Sequence, residues 1–395
     1  MRRMTRPARP GWRDTVESQG LGYAVTLNAQ GEIYDYWDET AYYEFSLTEI
    51  EALETVVANL HEMCLAAAEH VIAAGRLHDY GIRDPHVIDM ITKSWRERDR
   101  APSVYGRFDL RYDGSGPAKL LEYNADTPTS LLEAAGPQWF WLEELFPEAD
   151  QWNSLHERLV DAWRAQAPLL PTGPLHLAYS EADELGEDYL TVAYLQECAE
   201  QAGLHTVLIS MEEIGWDPAE QRFIDLQNRT IKAIFKLYPW EWLTTDKFGE
   251  HAVRAANGPI WIEPPWKMLL SNKALLAILW ELFPGHPNLL PSYLDGPREL
   301  APTGYVAKPL LGREGGGVRI VTPGGEVTLP VPEGGPVYGA EGFCYQAFYP
   351  LPDFGGRRPV LGAWVVDGEP AGLGIREAEG LITDQGARFV PHLIV

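Results

Sequence analysis

The stretch Tyr105-Gly-Arg-Phe-Asp-Leu-Arg-Tyr112, Asp113-Gly-Ser-Gly-Pro117, Ala118-Lys-Leu-Leu-Glu-Tyr-Asn-Ala125 predicts a β-hairpin. A loop from Gly114 to Pro117 would place Asp109 opposite Glu122 and Arg107 opposite Asn124, because side chains alternate between the two faces of a strand. The other face would then carry only large apolar side chains: Phe108, Leu110, Leu121 and Tyr123. The hairpin is therefore expected to have one charged face and one apolar face.

The charged face predicts a metal and phosphate site. Like charges directly opposite each other destabilise a β-ladder, so the Asp109 and Glu122 pair requires a cation nearby. Together with Asn124 they form an oxygen-only set suited to Mg²⁺, and Arg107 suits a phosphate or a developing oxyanion. The alternative is an edge hairpin whose polar face is simply solvated, and the hairpin alone leaves both interpretations open.

Composition narrows the class of protein. With 395 residues and 45% hydrophobic residues, the chain is long enough for two or three globular units. The formal net charge of −25 disfavours nucleic acid and anionic membranes as general partners, because both would be repelled. No stretch approaches the roughly 18 consecutive apolar residues of a membrane span.

The cysteines and the first residues predict a cytoplasmic protein. Cys64, Cys198 and Cys344 are widely separated, which favours neither a disulfide framework nor a zinc site. The basic segment Met1–Pro10 is followed by Gly11-Trp-Arg-Asp rather than by an apolar core, so no export signal is expected.

Helices are predicted on either side of the hairpin. Residues 40–75 show helical apolar spacing with Ser46 as a candidate cap. After the hairpin, Thr127 is placed to cap a second helix with Pro128 at its first position. The free amides of that helix and the hydroxyls of Thr127, Thr129 and Ser130 are suited to a carboxylate or phosphate, although simple capping is the commoner reason for such a string.

The segment Ala167–Pro174 resembles a linker, and a βαβ unit follows it. Strands are predicted at 175–180 and 206–210 with a helix at 188–202 between them, within a small α/β domain at 168–260. The acidic loop Ser180–Asp188 lies at the carboxyl end of the first strand, where open α/β sheets bind ligands. It is suited to a cationic amine, or it is an ordinary surface loop.

The last third of the chain carries a second candidate phosphate site. A strand bearing Lys308 precedes a glycine-rich loop with Arg313, which suits phosphates because glycine backbone can approach them closely. The loop matches neither the Walker nor the Rossmann pattern, and an ordinary hairpin turn is the alternative. Further on, Gly342–Pro350 is an aromatic-rich strand that could contact an adenine, and a final hairpin is expected to carry Arg376 at its tip.

Taken in order, five motifs resemble one known family: Arg107-Phe-Asp109, Glu122-Tyr-Asn-Ala-Asp-Thr-Pro-Thr129, Trp266-Lys267, Lys308-Pro-Leu-Leu-Gly-Arg313 and Tyr345-Gln346. The chain resembles the synthetase domain of glutathionylspermidine synthase, and is most similar to stand-alone acid–amine ligases without the amidase domain. The resemblance begins at Trp12-Arg13 and covers nearly the whole chain. It implies an α/β protein with a permuted ATP-grasp fold.

The resemblance also implies a division into three parts. Residues 1–167 would hold the metal-binding hairpin, and residues 168–260 an inserted, pre-ATP-grasp-like α/β domain. Residues 261–395 would hold the lysine-bearing strands and the glycine-rich loop.

The same resemblance implies roles for individual residues, with ATP and Mg²⁺, expected as two ions, as cofactors. The metal ligands would be Asp109, Glu122 and Asn124. Arg107 would stabilise the transition state, while Arg313 and Arg376 would clamp the transferred phosphate or the acyl phosphate. The acid and amine substrates would contact Thr127, Thr129, Glu187 and Asp188. The nucleotide would contact Arg107, Phe108, Asp109, Lys267, Lys308, Gly315, Gly316, Gly317, Tyr345, Gln346, Ala347, Phe348, Leu381 and Ile382.

The implied reaction joins a small-molecule carboxylic acid to an amine through an acyl phosphate, with ADP as product. Two alternatives remain open from the sequence: an ATP-grasp kinase that stops at the phosphorylated product, and a non-enzymatic nucleotide-binding protein. Arg388 stands where the bifunctional synthetases place an acidic residue toward the polyamine, so the acid and the amine are left unassigned.

Overall fold

The computed structural model describes residues 1–27, 32–182, 186–255, 258–330, 337–384 and 386–395. The α-helices are α1 (Trp12–Ser18), α2 (Leu47–Ala73), α3 (Pro85–Arg96), α4 (Leu131–Ala135), α5 (Pro137–Leu145), α6 (Leu155–Gln166), α7 (Glu187–Gln201), α8 (Trp240–Leu243), α9 (Gly249–Arg254), α10 (Met268–Ser271) and α11 (Ala274–Leu282). The strands are β1 (Arg2–Thr5), β2 (Val25–Leu27), β3 (Ile33–Asp35), β4 (Ala41–Phe45), β5 (Tyr105–Arg111), β6 (Lys119–Asn124), β7 (Leu175–Tyr179), β8 (Thr206–Ser210), β9 (Gly215–Asp217), β10 (Arg222–Ile224), β11 (Ala233–Lys236), β12 (Ile260–Ile262), β13 (Ser292–Tyr293), β14 (Tyr305–Pro309), β15 (Arg319–Thr322), β16 (Gly325–Thr328), β17 (Phe343–Ala347), β18 (Arg358–Val366), β19 (Glu369–Ala378), β20 (Arg388–Phe389) and β21 (His392–Ile394).

The predicted hairpin is present, and its pairing is confirmed. Strands β5 and β6 pair Asp109 with Glu122 and Arg107 with Asn124. The register then shifts, so that Leu110 pairs with Leu120 and Leu121 becomes the extra residue of a β-bulge. The turn is consequently one residue longer than predicted, and Leu121 leaves the apolar face on which it was expected.

The hairpin belongs to one of two five-stranded sheets. The first sheet has the order β20-β19-β18-β5-β6, and the second has the order β13-β17-β14-β15-β16. The last hairpin, β18 and β19, therefore packs beside β5 although some 250 residues of sequence separate them. Arg376 pairs with Val360, at the opposite end of this hairpin from its turn at Asp367 and Gly368. The expectation that Arg376 lies at the hairpin tip was wrong.

The predicted βαβ unit is confirmed and extends further along the chain. Strands β7 and β8 are parallel, with α7 between them. Strands β11 and β12 complete a parallel sheet of order β12-β11-β7-β8. The acidic loop predicted after β7 falls partly on residues 183–185, which lie outside the described residues. The predicted mixed α/β class is confirmed.

Two helix predictions had different outcomes. Ser46 caps α2 as expected, because its hydroxyl accepts from the Glu49 amide while the Glu49 carboxylate accepts from the Ser46 amide. Residues 41–45, however, form strand β4 and not the start of that helix. Thr127 caps no helix: α4 begins only at Leu131, and Ser130 precedes it with a left-handed φ of 63°.

Aromatic side chains hold the apolar face of the hairpin against the core. The rings of Phe108 and Tyr123 stack with centroids 3.8 Å apart, and both residues are buried. This cross-strand pair gives the register a strong packing preference, since a one-residue slip would expose both rings. Among the described residues, none of the helices is long and apolar enough to cross a membrane.

Candidate active site

A cavity lies between the two five-stranded sheets, and the sheets line it differently. The first sheet contributes charged and polar side chains, namely Arg107, Asp109, Glu122, Asn124 and Arg376. The second contributes mainly apolar ones, including Val306, Ile320 and Ala347, together with Lys308 and Gln346. A cavity with apolar walls and converging charged groups suits a ligand that has both a flat apolar part and an anionic part.

Asp109 is the central carboxylate of the charged wall. It accepts hydrogen bonds from Arg107 Nε at 2.7 Å and from Arg376 Nη2 at 2.7 Å, and only 4% of its surface is exposed. Arg107 also donates to the Thr129 carbonyl. Burial works against the charged guanidinium of Arg107, but the adjacent Asp109 carboxylate outweighs it and raises the pKa of Arg107.

Glu122 faces a different pair of cations. Its Oε2 lies 3.3 Å from Lys273 Nζ, and its Oε1 accepts from Asn124 Nδ2 at 3.0 Å. Burial alone would favour the neutral acid, but Lys273 and then Lys308 lower the pKa of Glu122 to about 2. Glu122 is therefore ionised at neutral pH.

The bulge in β6 provides a contact between the two sheets. Lys308, on β14 of the second sheet, donates from Nζ to the Leu121 carbonyl at 2.7 Å. Burial lowers the pKa of Lys308, and the charge of Glu122 opposes that shift. The Leu121 side chain lines the cavity.

The charged wall fits the metal expected there. Mg²⁺ in proteins commonly takes one or two carboxylates, with the remaining positions filled by water and substrate phosphates. Asp109, Glu122 and the Asn124 amide oxygen offer such a set on one face of the hairpin. Among the described residues no group of three or more His, Cys, Asp or Glu side chains is placed to hold a metal ion. Part of the coordination would therefore have to come from a ligand.

Arg313 follows β14 and contacts two other residues that line the cavity. It donates from Nη2 to Glu241 Oε1 at 2.6 Å and from Nη1 to the Thr127 hydroxyl at 3.0 Å. Its Nε is buried and has no partner among the described residues. Burial disfavours the cation, but Glu241 raises the pKa of Arg313, so it stays charged.

The glycine-rich loop allows close packing beside Arg313. Gly315 lines the cavity with a φ of +72°, and an added Cβ would lie 2.7 Å from Ile382 and 2.9 Å from the Thr383 carbonyl oxygen. A side chain there would push apart the loop and residues 381–383. Leu381 and Ile382 also line the cavity, as expected from the sequence.

A buried ion pair fixes the segment that carries Thr127 and Thr129. Lys236 of β11 donates from Nζ to Asp126 Oδ1 at 2.7 Å, and the Trp240 amide donates to Asp126 Oδ2 at 3.0 Å. Lys236 is fully buried and Asp126 almost so. The parallel sheet thereby positions the loop that follows the hairpin, and both threonines line the cavity.

Several residues selected from the sequence do not line this cavity. Phe108 lies in the core, and Tyr345 packs against Tyr305 on the other face of β17, with Gln346, Ala347 and Phe348 lining the cavity instead. Gly316 and Gly317 face Tyr338 and Pro309. Glu187 and Asp188 are the first residues of α7, with Glu187 near Tyr23 and Tyr36 and Asp188 near Tyr105.

Lys267, which the sequence motifs assign to the nucleotide, is not among the residues that line the cavity. Lys267 Nζ donates to the Tyr105 carbonyl at 2.6 Å and forms an ion pair with the buried Glu263, so it supports the start of β5. Lys273, which the sequence reasoning did not select, lines the cavity and contacts Glu122. Glu241 was also missed, although its position between two tryptophans after a buried strand marked that segment as unusual.

These features define a class: an α/β protein whose two antiparallel sheets enclose a cavity suited to an anionic, partly apolar ligand. The family model described as "Glutathionylspermidine synthase preATP-grasp" matches residues 3–395. The chain therefore belongs to the glutathionylspermidine synthase family, as the sequence motifs predicted.

Named relatives agree with this membership. The "Putative acid–amine ligase" of Haemophilus influenzae is 39% identical over 403 residues, covering 100% of both chains. The bifunctional glutathionylspermidine synthetase/amidase of Escherichia coli is 27% identical, and the match covers 97% of this chain but 63% of that enzyme. Trypanothione synthetase of Crithidia fasciculata is 30% identical over 72% of this chain and 46% of its own length. The family and these relatives are ligases or synthetases.

A solved structure supports the fold assignment. A glutathione synthetase-like effector from Globodera pallida, in its apo form, superposes with a TM-score of 0.55 at 10% sequence identity. The superposition covers 97% of this chain and 96% of the effector. At that identity the similarity concerns the fold alone.

Proposed function

We propose that the protein is an ATP- and Mg²⁺-dependent carboxylate–amine ligase that releases ADP and phosphate and forms an amide. One observation carries the proposal. Five cations from four separated segments line the cavity that also holds Asp109 and Glu122: Arg107, Lys273, Lys308 with Arg313, and Arg376. Such an arrangement suits a metal–triphosphate group, because carboxylates can hold the metal while the cations hold phosphate oxygens.

The fold would be a permuted ATP-grasp. In this interpretation the metal-binding hairpin of residues 1–167 precedes the lysine-bearing strands of residues 261–395, and residues 168–260 are an inserted α/β domain. The pairing of β18 with β5 is consistent with this arrangement, since it joins the first and last parts of the chain in one sheet.

Asp109, Glu122 and Asn124 would hold Mg²⁺, which when bound offsets the negative charge on the phosphates. The arginines that contact Asp109 would then be available to other anions. Val306, Ile320, Ala347 and Phe348 would enclose the adenine, with Lys273 and Lys308 near the phosphates. These assignments use residues whose side chains line one cavity.

The reaction would proceed in two steps. An oxygen of the substrate carboxylate attacks the γ-phosphorus, the bond to the β–γ bridging oxygen breaks, and ADP leaves. The amine nitrogen then attacks the acyl carbon of the acyl phosphate, inorganic phosphate departs, and the nitrogen loses a proton to solvent. Arg107 would stabilise the tetrahedral oxyanion, while Arg313 and Arg376 would hold the transferred phosphate.

The acid and the amine are small molecules of undefined identity. Thr127 and Thr129 line the cavity beside Arg313 and Arg107 and would contact the acid. Glu187 and Asp188 are not among the residues that line the cavity, so their proposed contact with a cationic amine would lie outside it.

The decisive experiment measures phosphate release from Mg-ATP with pools of small acids and amines, added separately and together, followed by mass spectrometry. Release that requires both pools, with a product one water lighter than the sum of its parts, supports the ligase. Release with acids alone and a stable phosphorylated product would support a kinase instead. No nucleotide binding at all would refute the enzyme.

A further inference from the structure

Glu241 is a cavity carboxylate that has no role in the proposed metal site and that contacts Arg313. It lies on α8, outside the hairpin that carries Asp109 and Glu122, and lines the same cavity. Its Oε1 accepts from Arg313 Nη2 at 2.6 Å. A carboxylate in this position is unexpected, because it repels any phosphate that approaches the same guanidinium.

Two of the three nitrogens of the Arg313 guanidinium already donate hydrogen bonds. Nη1 donates to Thr127, Nη2 donates to Glu241, and the buried Nε has no partner among the described residues. The Trp242 ring lies 5.4 Å from Arg313 Cζ and covers part of the guanidinium. Each Nη group carries a second hydrogen, but a phosphate oxygen that binds Nη2 would lie next to the Glu241 carboxylate and be repelled by it.

The contact is also one that a ligand can displace. The Arg313 and Glu241 side chains are 28% and 18% exposed, so water can solvate either group after separation. Ion pairs that are partly open to solvent contribute only about 1 kcal/mol. By contrast, the pair formed by Lys236 and Asp126 is buried, and separating it would leave two charges without solvent.

We propose that Glu241 occupies the place on Arg313 that the terminal phosphate of the nucleotide takes, so that the two anions exchange on this guanidinium. The inference rests on the proposed function, because it requires Arg313 to contact the terminal phosphate. It adds that the protein contains its own competitor for that phosphate. Removing the competitor should strengthen the binding of a triphosphate and leave a diphosphate unaffected.

The test compares the affinities of AMP-PNP and ADP, each with Mg²⁺, by calorimetry on the full chain. Glu241→Gln should bind AMP-PNP about fivefold more tightly, the equivalent of an ion pair of about 1 kcal/mol, and should bind ADP unchanged. Glu250→Gln is the matched control, since this glutamate is exposed on α9 and pairs with Arg254 in an i,i+4 contact. It should change neither affinity.

A double-mutant cycle isolates the exchange. When Arg313 is replaced by Lys, or in a second series by Ala, the Glu241→Gln substitution should lose most of its effect on the affinity for AMP-PNP. Melting temperatures of all variants show whether each is folded.

Three results would overturn the inference while leaving the nucleotide site intact. Weaker AMP-PNP binding by Glu241→Gln would mean that Glu241 orients Arg313 for the ligand. Equal strengthening of AMP-PNP and ADP binding would mean a general charge effect, and no change in either would mean no competition. If the wild-type chain binds neither nucleotide, the proposed function fails, and the inference fails with it.

Discussion

Arg376 reaches across strand β18 to donate a hydrogen bond to Asp109, with Nη2 and Oδ2 2.7 Å apart. Asp109 lies on β5 and Arg376 on β19, and the strand between them pairs Gly362 with Asp109 and Val360 with Arg376. Two residues separated by 266 intervening positions therefore form one charged group with Arg107. The hairpin and the last part of the chain must both be folded before this group exists.

Replacing Asp109 with Asn should reduce Mg-ATP turnover by about 100-fold, because it removes a charge that holds the proposed metal and orients two arginines. We also expect a loss of about 1–3 kcal/mol in the free energy of unfolding, since Arg107 and Arg376 lose a buried charged partner. Phosphate release and urea denaturation measure the two effects. Asp113→Asn, in the exposed turn, is the control, and unchanged turnover in Asp109→Asn would refute the metal assignment.

Gly362 gives Arg107 the space to lie across β18. A Cβ on Gly362 would lie 2.9 Å from Arg107 Cδ and 3.3 Å from the Gly374 carbonyl oxygen. Because Asp109 and Thr129 hold the Arg107 guanidinium, its side chain cannot simply move aside. Gly362→Ala should therefore lower kcat at least about tenfold and cost about 1–3 kcal/mol of stability.

Gly324→Ala is the control for that substitution, since an added Cβ there meets only the Thr322 hydroxyl, at 3.6 Å. Kinetics and thermal melts on both variants separate displacement of Arg107 from a general effect of added bulk. Full activity in Gly362→Ala would show that Arg107 can move without loss.

Lys308 and Lys267 should respond differently to substitution by Met. Lys308→Met removes a cavity cation and should raise the KM for ATP about tenfold, with Lys273→Met having a similar effect. Lys267→Met leaves the fully buried Glu263 without its cation and should cost about 3 kcal/mol of stability. Steady-state kinetics and urea denaturation distinguish the cases. A raised KM in a fully folded Lys267→Met would mean that Lys267 contacts the nucleotide.

His392 should make the fold less stable in mild acid. Burial lowers the pKa of His392 to about 3, and its Nε2 has no partner among the described residues. The unfolded chain binds a proton near the ordinary histidine pKa of about 6.5, whereas the folded chain does not. Stability is therefore complete above about pH 6.5 and falls as the pH decreases from there toward about 3.

Urea denaturation at pH 7.5 and pH 5 checks this prediction. The wild type should lose about 2 kcal/mol more than His392→Gln over this interval, because 1.5 pH units below the unfolded pKa correspond to that free energy. His61, whose pKa burial lowers to about 4, acts in the same direction and stays in both proteins. The exposed His205→Gln serves as control, and an equal loss in all three proteins would contradict the prediction.

The hairpin could be predicted because its alternation is strict. Charged or polar residues at 107, 109, 122 and 124 predict the pairing that the structure has at these four positions. The bulge could not be predicted, since a leucine gives no indication that it is the extra residue of a strand. Likewise, the string Thr127-Pro-Thr129 suggested a capped helix. Lys236 and Trp240, more than 100 residues away in the sequence, instead bind the adjacent Asp126 and keep this segment outside the helix.

The lysines show a second limit of sequence reasoning. Lys267 and Lys273 are six residues apart on either side of the short helix α10. The direction in which α10 leaves β12, together with the buried Glu263, determines which of the two lysines faces the cavity. Neither feature can be recognised from the neighbouring sequence. The parallel sheet, by contrast, was recognisable because its first three elements follow one another directly in the chain.

The bulge at Leu121 is not needed for strand pairing in the sheet, but it contributes to the wall of the cavity. Strand β6 pairs with β5 on both sides of Leu121, so the ladder would close equally well if this residue were deleted. The deletion would remove the carbonyl that accepts from Lys308, and it would also remove one apolar side chain from the cavity wall. Deleting this single residue should therefore leave the hairpin paired while it removes the backbone acceptor that holds Lys308.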